Sequence, residues 1–235
     1  AGVFTMLKVG IYIFGIEFLA ESGASTWLMW LAAFSILAAS VIAMTKDNLK
    51  ARLAYSTISQ LSYITLGVAL ASSMGILGGG LHVVMHAMGK ITLFMCAGSI
   101  YVATHRTEIS QMTGLGRRMP ITFIAFLIGA LSIIGLPPLG GSWGKWLLMV
   151  GAVDAEHLFI LGVLLVSSLL NVAYLLPLVA KGFFLSNDTD AELVQSAEAS
   201  PLVWGPPAAT AFGCVVLFFY AGHIQDFLMP IVATN

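Results

Sequence analysis

Seven apolar stretches follow one another along this chain of 235 residues, and each is long enough to cross a lipid bilayer as a helix. A spanning helix needs about 20 mainly apolar residues. The stretches that meet this requirement run approximately over 1–20, 25–44, 53–73, 76–103, 120–151, 157–181 and 203–222. Only 9% of the residues are charged, whereas a soluble domain carries about 25%. The sequence therefore predicts an all-α polytopic membrane protein embedded in a lipid bilayer.

The basic residues between these stretches all fall on one side of the predicted membrane. That side holds the seven loop lysines and arginines, namely Lys46, Lys50, Arg52, Arg106, Arg117, Arg118 and Lys181. The opposite loops contain acidic residues and no lysine or arginine. Because positive loops stay in the cytoplasm, we expect the N-terminus on the cytoplasmic side and the C-terminus on the outer side. An odd number of spans is required for that arrangement.

Three titratable side chains recur at intervals of four residues within the fourth stretch, at His82, His86 and Lys90. On an α-helix this spacing places them along one slowly drifting stripe, about 6 Å apart per step. A lysine charge at the bilayer centre costs roughly 2.5–3.5 kcal/mol on insertion scales, which favours a polar interior path over a lipid-facing position. Imidazoles ordinarily titrate near neutrality. The stripe predicts a proton relay, and packed core histidines without a transport role are the alternative.

The fifth stretch is too long for one span and contains its own interruption. As a continuous helix it would measure roughly 48 Å, against a hydrocarbon core of about 30 Å. Its middle carries residues that break helices, at Gly135, Pro137, Pro138, Gly140 and Gly141. Discontinuous helices mark ion sites in transporters, and Lys145 follows this break. We therefore expect a helix broken near 136–141 with a functional lysine, the alternative being a proline kink with a snorkelling lysine.

Polar side chains also occur inside the third and sixth stretches. We expect them to line a wet path or to join helices by hydrogen bonds, and the residues concerned are Ser56, Ser59, Gln60 and Asn171. The connector after the sixth stretch is acidic, and we expect it to be solvated rather than to trap a cation. Its carboxylates are Asp188, Asp190, Glu192 and Glu198.

Metal, cofactor and nucleic-acid sites are not indicated. His82 and His86 have the spacing of a zinc pair, but no glutamate lies between them, and Lys90 on the same stripe would repel a cation. The chain has no Gly-rich phosphate loop and no cysteine cluster for iron–sulfur or haem. A formal net charge of −1 gives no electrostatic footprint for nucleic acid.

Three motifs resemble those of the antiporter-like proton-translocating membrane subunits. These subunits occur in respiratory complex I, in Mrp-type cation/proton antiporters and in membrane-bound hydrogenases. The motifs are residues 49–63, the stripe from His82 to Lys90 with 93–99, and the run from Gly135 to Lys145. They occur in the same order as in the family. The resemblance covers nearly all of the chain and is weakest after about Phe184.

The resemblance implies a fold of about fourteen helices with two inverted five-helix repeats. This chain, a single transmembrane domain over 1–235, resembles the C-terminal half: one five-helix inverted-repeat unit plus flanking helices, one of them discontinuous. Lys90 would be the central lysine of a hydrophilic axis, with His82 and His86 as bridging groups. Lys145 would be the broken-helix lysine near the outer exit, and Lys50 would stand at the inner end of the path.

The implied function is proton translocation within a multisubunit cation/proton antiporter in a bacterial inner membrane. The expected partners are other membrane subunits, including a chain or segment that supplies the N-terminal half. One alternative is a proton-pumping subunit of a complex I type NADH:quinone oxidoreductase or a membrane-bound hydrogenase. Another is a structural or assembly subunit that does not transport. A catalytic membrane oxidoreductase is less well supported, because no redox ligand is visible.

Overall fold

The computed structural model describes residues 2–21, 23–185, 198 and 200–233, and these residues are almost entirely helical. The helices are α1 Gly2–Val9, α2 Ile16–Glu21, α3 Ala24–Thr45, α4 Leu49–Ala69, α5 Ser73–Thr104, α6 Leu115–Arg118, α7 Pro120–Ile134, α8 Gly141–Asp154, α9 Leu158–Phe184 and α10 Pro201–Ala233. A π-helical turn, Gly10–Phe14, follows α1, and a short 3₁₀-helix, Ile109–Gln111, precedes α6. The all-α fold predicted from the sequence is confirmed.

Four of the described helices are each long and apolar enough to cross a membrane: α3, α5, α9 and α10. The apolar helix α7 is shorter, with 15 residues, and α4 has 21 residues but a more polar composition. The first predicted stretch is interrupted, because Gly15 has a φ of 81° and separates the π-helical turn from α2. The last helix continues past the predicted end at 222.

Helix α5 lies at the centre of the bundle and packs against α4, α7, α8 and α10. Glycine allows α8 to approach it closely, since a Cβ atom at Gly144 would lie 3.0 Å from the Cα atom of His82. Large side chains such as Tyr63, Phe123 and Tyr174 are fully buried around α5. The predicted histidine–lysine stripe is therefore carried by the most enclosed helix of the described chain.

The discontinuous helix consists of α7 and α8, joined by residues 135–140. Gly135 ends α7 with a φ of 93°, a left-handed conformation that glycine adopts without the steric cost of a side chain. At the other side of the break, a Cβ atom on Gly141 would lie 1.8 Å from the Ser132 carbonyl oxygen. The amide of Gly140 donates to the Cys214 carbonyl of α10 at 3.0 Å. The chain thus crosses the break in close backbone contact with α7 and α10.

The loops that carry the seven basic residues meet at one end of the bundle. The Ile109 amide donates to the Asp47 carbonyl at 2.9 Å, and the Gly114 amide donates to the Lys181 carbonyl at 3.1 Å. The first contact joins the α3–α4 loop to the segment after α5. The second joins that segment to the end of α9. The three basic loops are therefore on the same side, as the charge pattern predicts.

Glu198 caps a helix rather than lying in a solvated connector. Its carboxylate accepts hydrogen bonds from the amides of Ile121 and Thr122, both at 3.1 Å, and from the Thr122 hydroxyl at 2.5 Å. An acidic side chain at a helix N-terminus satisfies amides that lack partners within the helix. The expectation of a solvated acidic connector is wrong for Glu198. The other three carboxylates, Asp188, Asp190 and Glu192, lie outside the described residues.

Candidate functional site

Four titratable side chains are buried together in the middle of the bundle. The exposed fractions are 2% for His82, 6% for His86, 5% for Lys90 and 4% for Lys145. The first three lie on α5, and Lys145 lies one turn into α8, after the break. Within the described residues, neither lysine forms an ion pair with a carboxylate. This cluster brings together the two motifs that the sequence analysis singled out.

Lys90 is held by α4. Its ammonium donates to the Ser56 hydroxyl oxygen at 2.6 Å and to the Leu53 carbonyl oxygen at 3.3 Å. Both acceptors lie in the first turns of α4, one helical turn apart, so a single helix face presents them to α5. The buried ammonium is therefore solvated by α4 in place of water.

A chain of polar side chains continues from Ser56 into α9. The Tyr174 hydroxyl lies 2.8 Å from the Ser56 hydroxyl oxygen and also hydrogen-bonds the side-chain carbonyl of Asn171. The Gln60 amide donates to the same Asn171 oxygen at 3.4 Å. Since all of these side chains are buried, α4 and α9 are joined by a continuous polar connection that begins at Lys90.

The two histidines stack along α5 towards Tyr63. The ring centres of His82 and His86 lie 5.8 Å apart, and those of Tyr63 and His82 lie 5.5 Å apart. The Lys145 ammonium lies 4.9 Å from the centre of the same Tyr63 ring. The ring of Tyr63 thus stands between the α5 stripe and the lysine of the broken helix.

Lys145 lies where the break opens into a crevice. Its ammonium donates to the Ile134 carbonyl, the last of α7, and to the Ser168 hydroxyl of α9, both at 3.2 Å. The Ile134 carbonyl is available because α7 ends there, so the break supplies a ligand for the lysine. A crevice of about 750 Å³ adjoins the ammonium, lined by Lys145, Ser168 and apolar side chains including Trp143 and Trp146.

Several buried polar atoms have no hydrogen-bond partner among the described residues. They are both ring nitrogens of His82, Nε2 of His86, Oε1 of Gln60 and Nδ2 of Asn171. Buried polar groups are almost always paired with protein or water, and an unpaired group carries a substantial desolvation cost. These atoms therefore mark positions where the polar interior requires further hydrogen-bonding groups.

Two predicted residues lie apart from this cluster. Ser59 is buried but belongs to a separate set of serine side chains. Its hydroxyl oxygen lies 2.9 Å from that of Ser40 on α3, and the Ser40 oxygen lies 3.4 Å from that of Ser167 on α9. Lys50 is exposed at the start of α4, with its ammonium 5.0 Å from the centre of the Tyr101 ring. The structure thus brings His82, His86 and Lys90 together with Lys145, and leaves Lys50 at the end of the bundle that carries the basic loops.

Sequence reasoning missed Tyr174, and it noted Ser168 only as part of a small polar patch on the sixth stretch. Tyr174 contacts Ser56 and Asn171, and Ser168 contacts Lys145. A signal for Tyr174 was present, because it follows Asn171 by three residues and shares its helix face. Among the described residues, no three histidine, cysteine, aspartate or glutamate side chains converge on one point.

The chain is similar to subunits of respiratory and antiporter complexes. The family profile described as "NADH:quinone oxidoreductase/Mrp antiporter, TM" matches residues 3–171. Subunit N of NADH-quinone oxidoreductase from Desulforudis audaxviator is 38% identical over 156 residues, which are 66% of this chain and 31% of that protein. Subunit L from Rickettsia bellii is 28% identical over 98% of this chain and 35% of that protein. The chain spans about a third of the length of these curated relatives.

Solved structures show the same fold. A chain of respiratory complex I from Thermus thermophilus with bound NADH superposes with a TM-score of 0.83 and 25% identity, covering 98% of this chain and 48% of that chain. A chain of the Mrp complex from a Dietzia species superposes with a TM-score of 0.79 and 22% identity, covering 93% of this chain and 49% of that one. This chain therefore has the architecture of about half of each of these membrane subunits.

Proposed function

The chain belongs to the NADH:quinone oxidoreductase/Mrp antiporter transmembrane family, and on this premise we propose that it moves protons across a membrane as part of a multisubunit cation/proton antiporter. The path would use Lys90, His86, His82 and Lys145 in that spatial order. The observation that carries the proposal is the burial of all four side chains in one cluster at the broken helix. Ionisable residues inside a membrane are costly, and they usually mark proton or ion pathways.

The geometry supports transfer by short steps. Ring stacking places His82 between His86 and the Tyr63–Lys145 pair. No direct hydrogen bond joins these four groups within the described residues. We propose that water molecules bound at the unpartnered histidine nitrogens bridge them, since such nitrogens supply the donors and acceptors that a buried water needs.

Electrostatic repulsion would govern the direction of movement. Two positive charges in the same low-dielectric interior repel each other by several kcal/mol at close range, with ~4 kcal/mol expected at 4 Å and an effective dielectric constant of 20. A proton that arrives near His86 therefore favours release from Lys145. The crevice beside Lys145 is where we propose that the released proton leaves this chain.

Completion of the path would require other membrane subunits. The chain spans about half of the solved chains it matches, and neither buried lysine has a carboxylate partner among the described residues. Buried charges in proteins are normally paired with a group of opposite charge. We therefore propose that a neighbouring chain or segment supplies acidic groups and the remaining half of the path.

A second candidate is a proton-pumping subunit of a complex I type NADH:quinone oxidoreductase. It is favoured by the relatives, because the similar proteins from Desulforudis audaxviator and Rickettsia bellii are subunits of NADH-quinone oxidoreductase. The buried cluster would serve proton movement in both complexes. The experiment that separates them is a transport assay with the purified complex, driven either by a sodium or potassium gradient or by NADH and quinone.

The basic-loop end is proposed to face the cytoplasm of a bacterial cell, with this chain in the inner membrane. The support is the convergence of the basic loops at one end, which the contacts of Gly114 with Lys181 and of Asp47 with Ile109 establish. Loops rich in lysine and arginine remain on the cytoplasmic side.

Replacement of each buried lysine tests the proposal. Lys90→Ala and, separately, Lys145→Ala in the assembled complex are expected to abolish proton translocation, measured with a pH-sensitive dye in vesicles, while the subunit remains in the purified complex. Lys181→Ala, at the end of α9, is the matched control and should transport at the parental rate. Parental transport in both buried-lysine variants would instead support a structural or assembly subunit.

A further inference from the structure

Lys90 and Lys145 each donate to one backbone carbonyl and one serine hydroxyl, and they differ in how close that hydroxyl is. Lys145 donates to a backbone carbonyl, which can only accept, and to the Ser168 hydroxyl. Lys90 also has one carbonyl acceptor, from Leu53, but its shortest contact is with a hydroxyl that belongs to a longer chain. That chain runs from Ser56 to Tyr174 and ends at Asn171.

We propose that Tyr174 is a positioning residue which, through Ser56, lets the surroundings of Lys90 stabilise both its charged and its discharged form. This inference rests on the proposed proton path, in which Lys90 must gain and lose a proton in each cycle. It concerns Tyr174 and Ser56 only as hydrogen-bonding groups. Neither hydroxyl gives up its proton in the cycle.

The charged form of Lys90 favours one direction of the hydroxyl chain, in which Tyr174 gives its single proton to Asn171. An ammonium has donors and no acceptor, and each hydroxyl has a single proton to donate. Ser56 must therefore accept from Lys90, and its own proton is then available for the oxygen of Tyr174. The Tyr174 hydroxyl in turn donates to the Asn171 carbonyl oxygen. In this arrangement every hydroxyl dipole points away from the positive charge, which stabilises it.

The discharged form of Lys90 permits the opposite direction. A neutral amine has a lone pair and accepts a hydrogen bond, so the Ser56 hydroxyl can rotate and donate to it. Tyr174 then donates to Ser56, at the distance of 2.8 Å that separates their oxygens. The Asn171 amide satisfies Tyr174 by presenting its NH₂ group, since an amide offers both a donor and an acceptor. The proton that Lys90 loses passes to the next group of the path, and only rotations occur in the chain.

The surroundings of Lys90 offer no other hydroxyl for this purpose among the described contacts. From α4 it is faced by the Ser56 hydroxyl and the Leu53 carbonyl. The titratable groups that act on it or lie close to it are His86 on α5, Lys145 on α8 and, through Ser56, Tyr174 on α9. A carbonyl alone would favour the charged form and hinder release. The hydroxyl chain can also donate to the neutral amine, so it stabilises both forms of Lys90.

The test uses Tyr174→Phe and Ser56→Ala, singly and together, in the assembled complex. Each single change is expected to slow proton translocation about tenfold, the size expected for losing a hydrogen bond that acts on a charged group. The double variant should be within about a factor of two of the slower single variant, because both changes interrupt one chain. The pH profile of translocation should also move by about half a unit or more in each single variant.

Tyr55→Phe is the matched control. Tyr55 lies on α4, one residue before Ser56; it is half-buried, and its ring centre lies 5.4 Å from the Lys46 ammonium. Loss of its hydroxyl should change neither the rate nor the pH profile. Co-purification with the other subunits verifies assembly. If Tyr174→Phe does not assemble, the rate and pH profile of Ser56→Ala, on α4, test the same hydroxyl chain.

The outcomes separate this inference from the proposed function. A parental rate in both single variants overturns the positioning role, and so does a lower rate with an unchanged pH profile and multiplicative effects in the double variant. In either case the proposed path stands as long as Lys90→Ala abolishes transport. If Lys90→Ala transports normally, the proposed function itself fails.

Discussion

The ammonium of Lys145 lies 4.9 Å from the centre of the Tyr63 ring, and the same ring stacks on His82 at 5.5 Å. Tyr63 is fully buried and comes from α4, whereas its two neighbours come from α8 and α5. An aromatic face attracts a desolvated cation. This contact connects the broken helix to the histidine stripe, although the two motifs are about 60 residues apart in the sequence.

We predict that the ring of Tyr63 matters more than its hydroxyl. Tyr63→Leu removes the cation–π contact, worth about 2 kcal/mol when desolvated, and should lower proton translocation by about tenfold. Tyr63→Phe keeps the ring and should retain several times more activity than Tyr63→Leu. Initial rates in vesicles that contain equal amounts of assembled complex measure the difference. Equal rates for the two variants would show that the ring has no electrostatic role.

We predict that both imidazoles are required for their ability to carry a proton. His82→Gln and His86→Gln keep hydrogen-bonding groups at these buried positions but cannot titrate. Each should lower translocation by about ten- to a hundredfold, since a positioned proton-transfer group contributes at least that much. The control is His223→Gln, at an exposed site on α10, where the rate should not change. If both buried variants transport normally, the two histidines are core residues that do not take part in transport.

We predict that the break between α7 and α8 does not tolerate a side chain at Gly141. A Cβ atom there would lie 1.8 Å from the Ser132 carbonyl oxygen, so Gly141→Ala must displace backbone. Overpacking of this kind typically costs about 1–3 kcal/mol. The thermal denaturation midpoint of the purified complex, or the yield of assembled subunit, should fall.

Gly98→Ala is the control for that substitution. Gly98 also lies in a helix, and a Cβ atom there would meet nothing within 4 Å. Because alanine is favoured over glycine in a helix by about 0.5–1 kcal/mol, this variant should be as stable as the parent or more stable. Equal stability of the two alanine variants would contradict the close approach at the break.

We predict that the two ends of the bundle are accessible from opposite sides of the membrane. Gln111→Cys places a thiol among the basic loops, and Asp154→Cys places one at the end of α8, both at exposed positions. A membrane-impermeant maleimide added to intact cells should label Asp154→Cys and should label Gln111→Cys only after permeabilisation. The natural Cys96 and Cys214 are buried and should give little background. The reverse pattern would place the basic loops outside.

Much of the fold was predictable because it depends on local properties of the chain. Mean hydropathy and segment length indicated the helices, and two prolines between glycines indicated the break near 136–141. The four-residue spacing placed His82, His86 and Lys90 on one helix face. The role of Glu198 was harder to predict, because a carboxylate becomes a helix cap only when the start of another helix packs next to it.

The partners of the site residues were not predictable in the same way. Ser56 and Tyr174 are 118 residues apart in the sequence, and nothing local indicates that they share a hydrogen bond. Lys50 follows a charged loop rather than an apolar run, and it lies exposed at the end of the bundle, where the charge pattern placed it. Its position depends on where α4 begins relative to its neighbours.

The sequence by itself determined that this chain is helical, lies in a membrane and carries lysine and histidine where a charge is costly. These properties follow from composition and helical periodicity, which act over a few turns. Only the tertiary structure decided which groups solvate each charge: α4 hydroxyl and carbonyl groups for Lys90, and the free end of α7 for Lys145. The reason is that in a dry interior a buried charge must obtain its partners from whichever helices pack beside it.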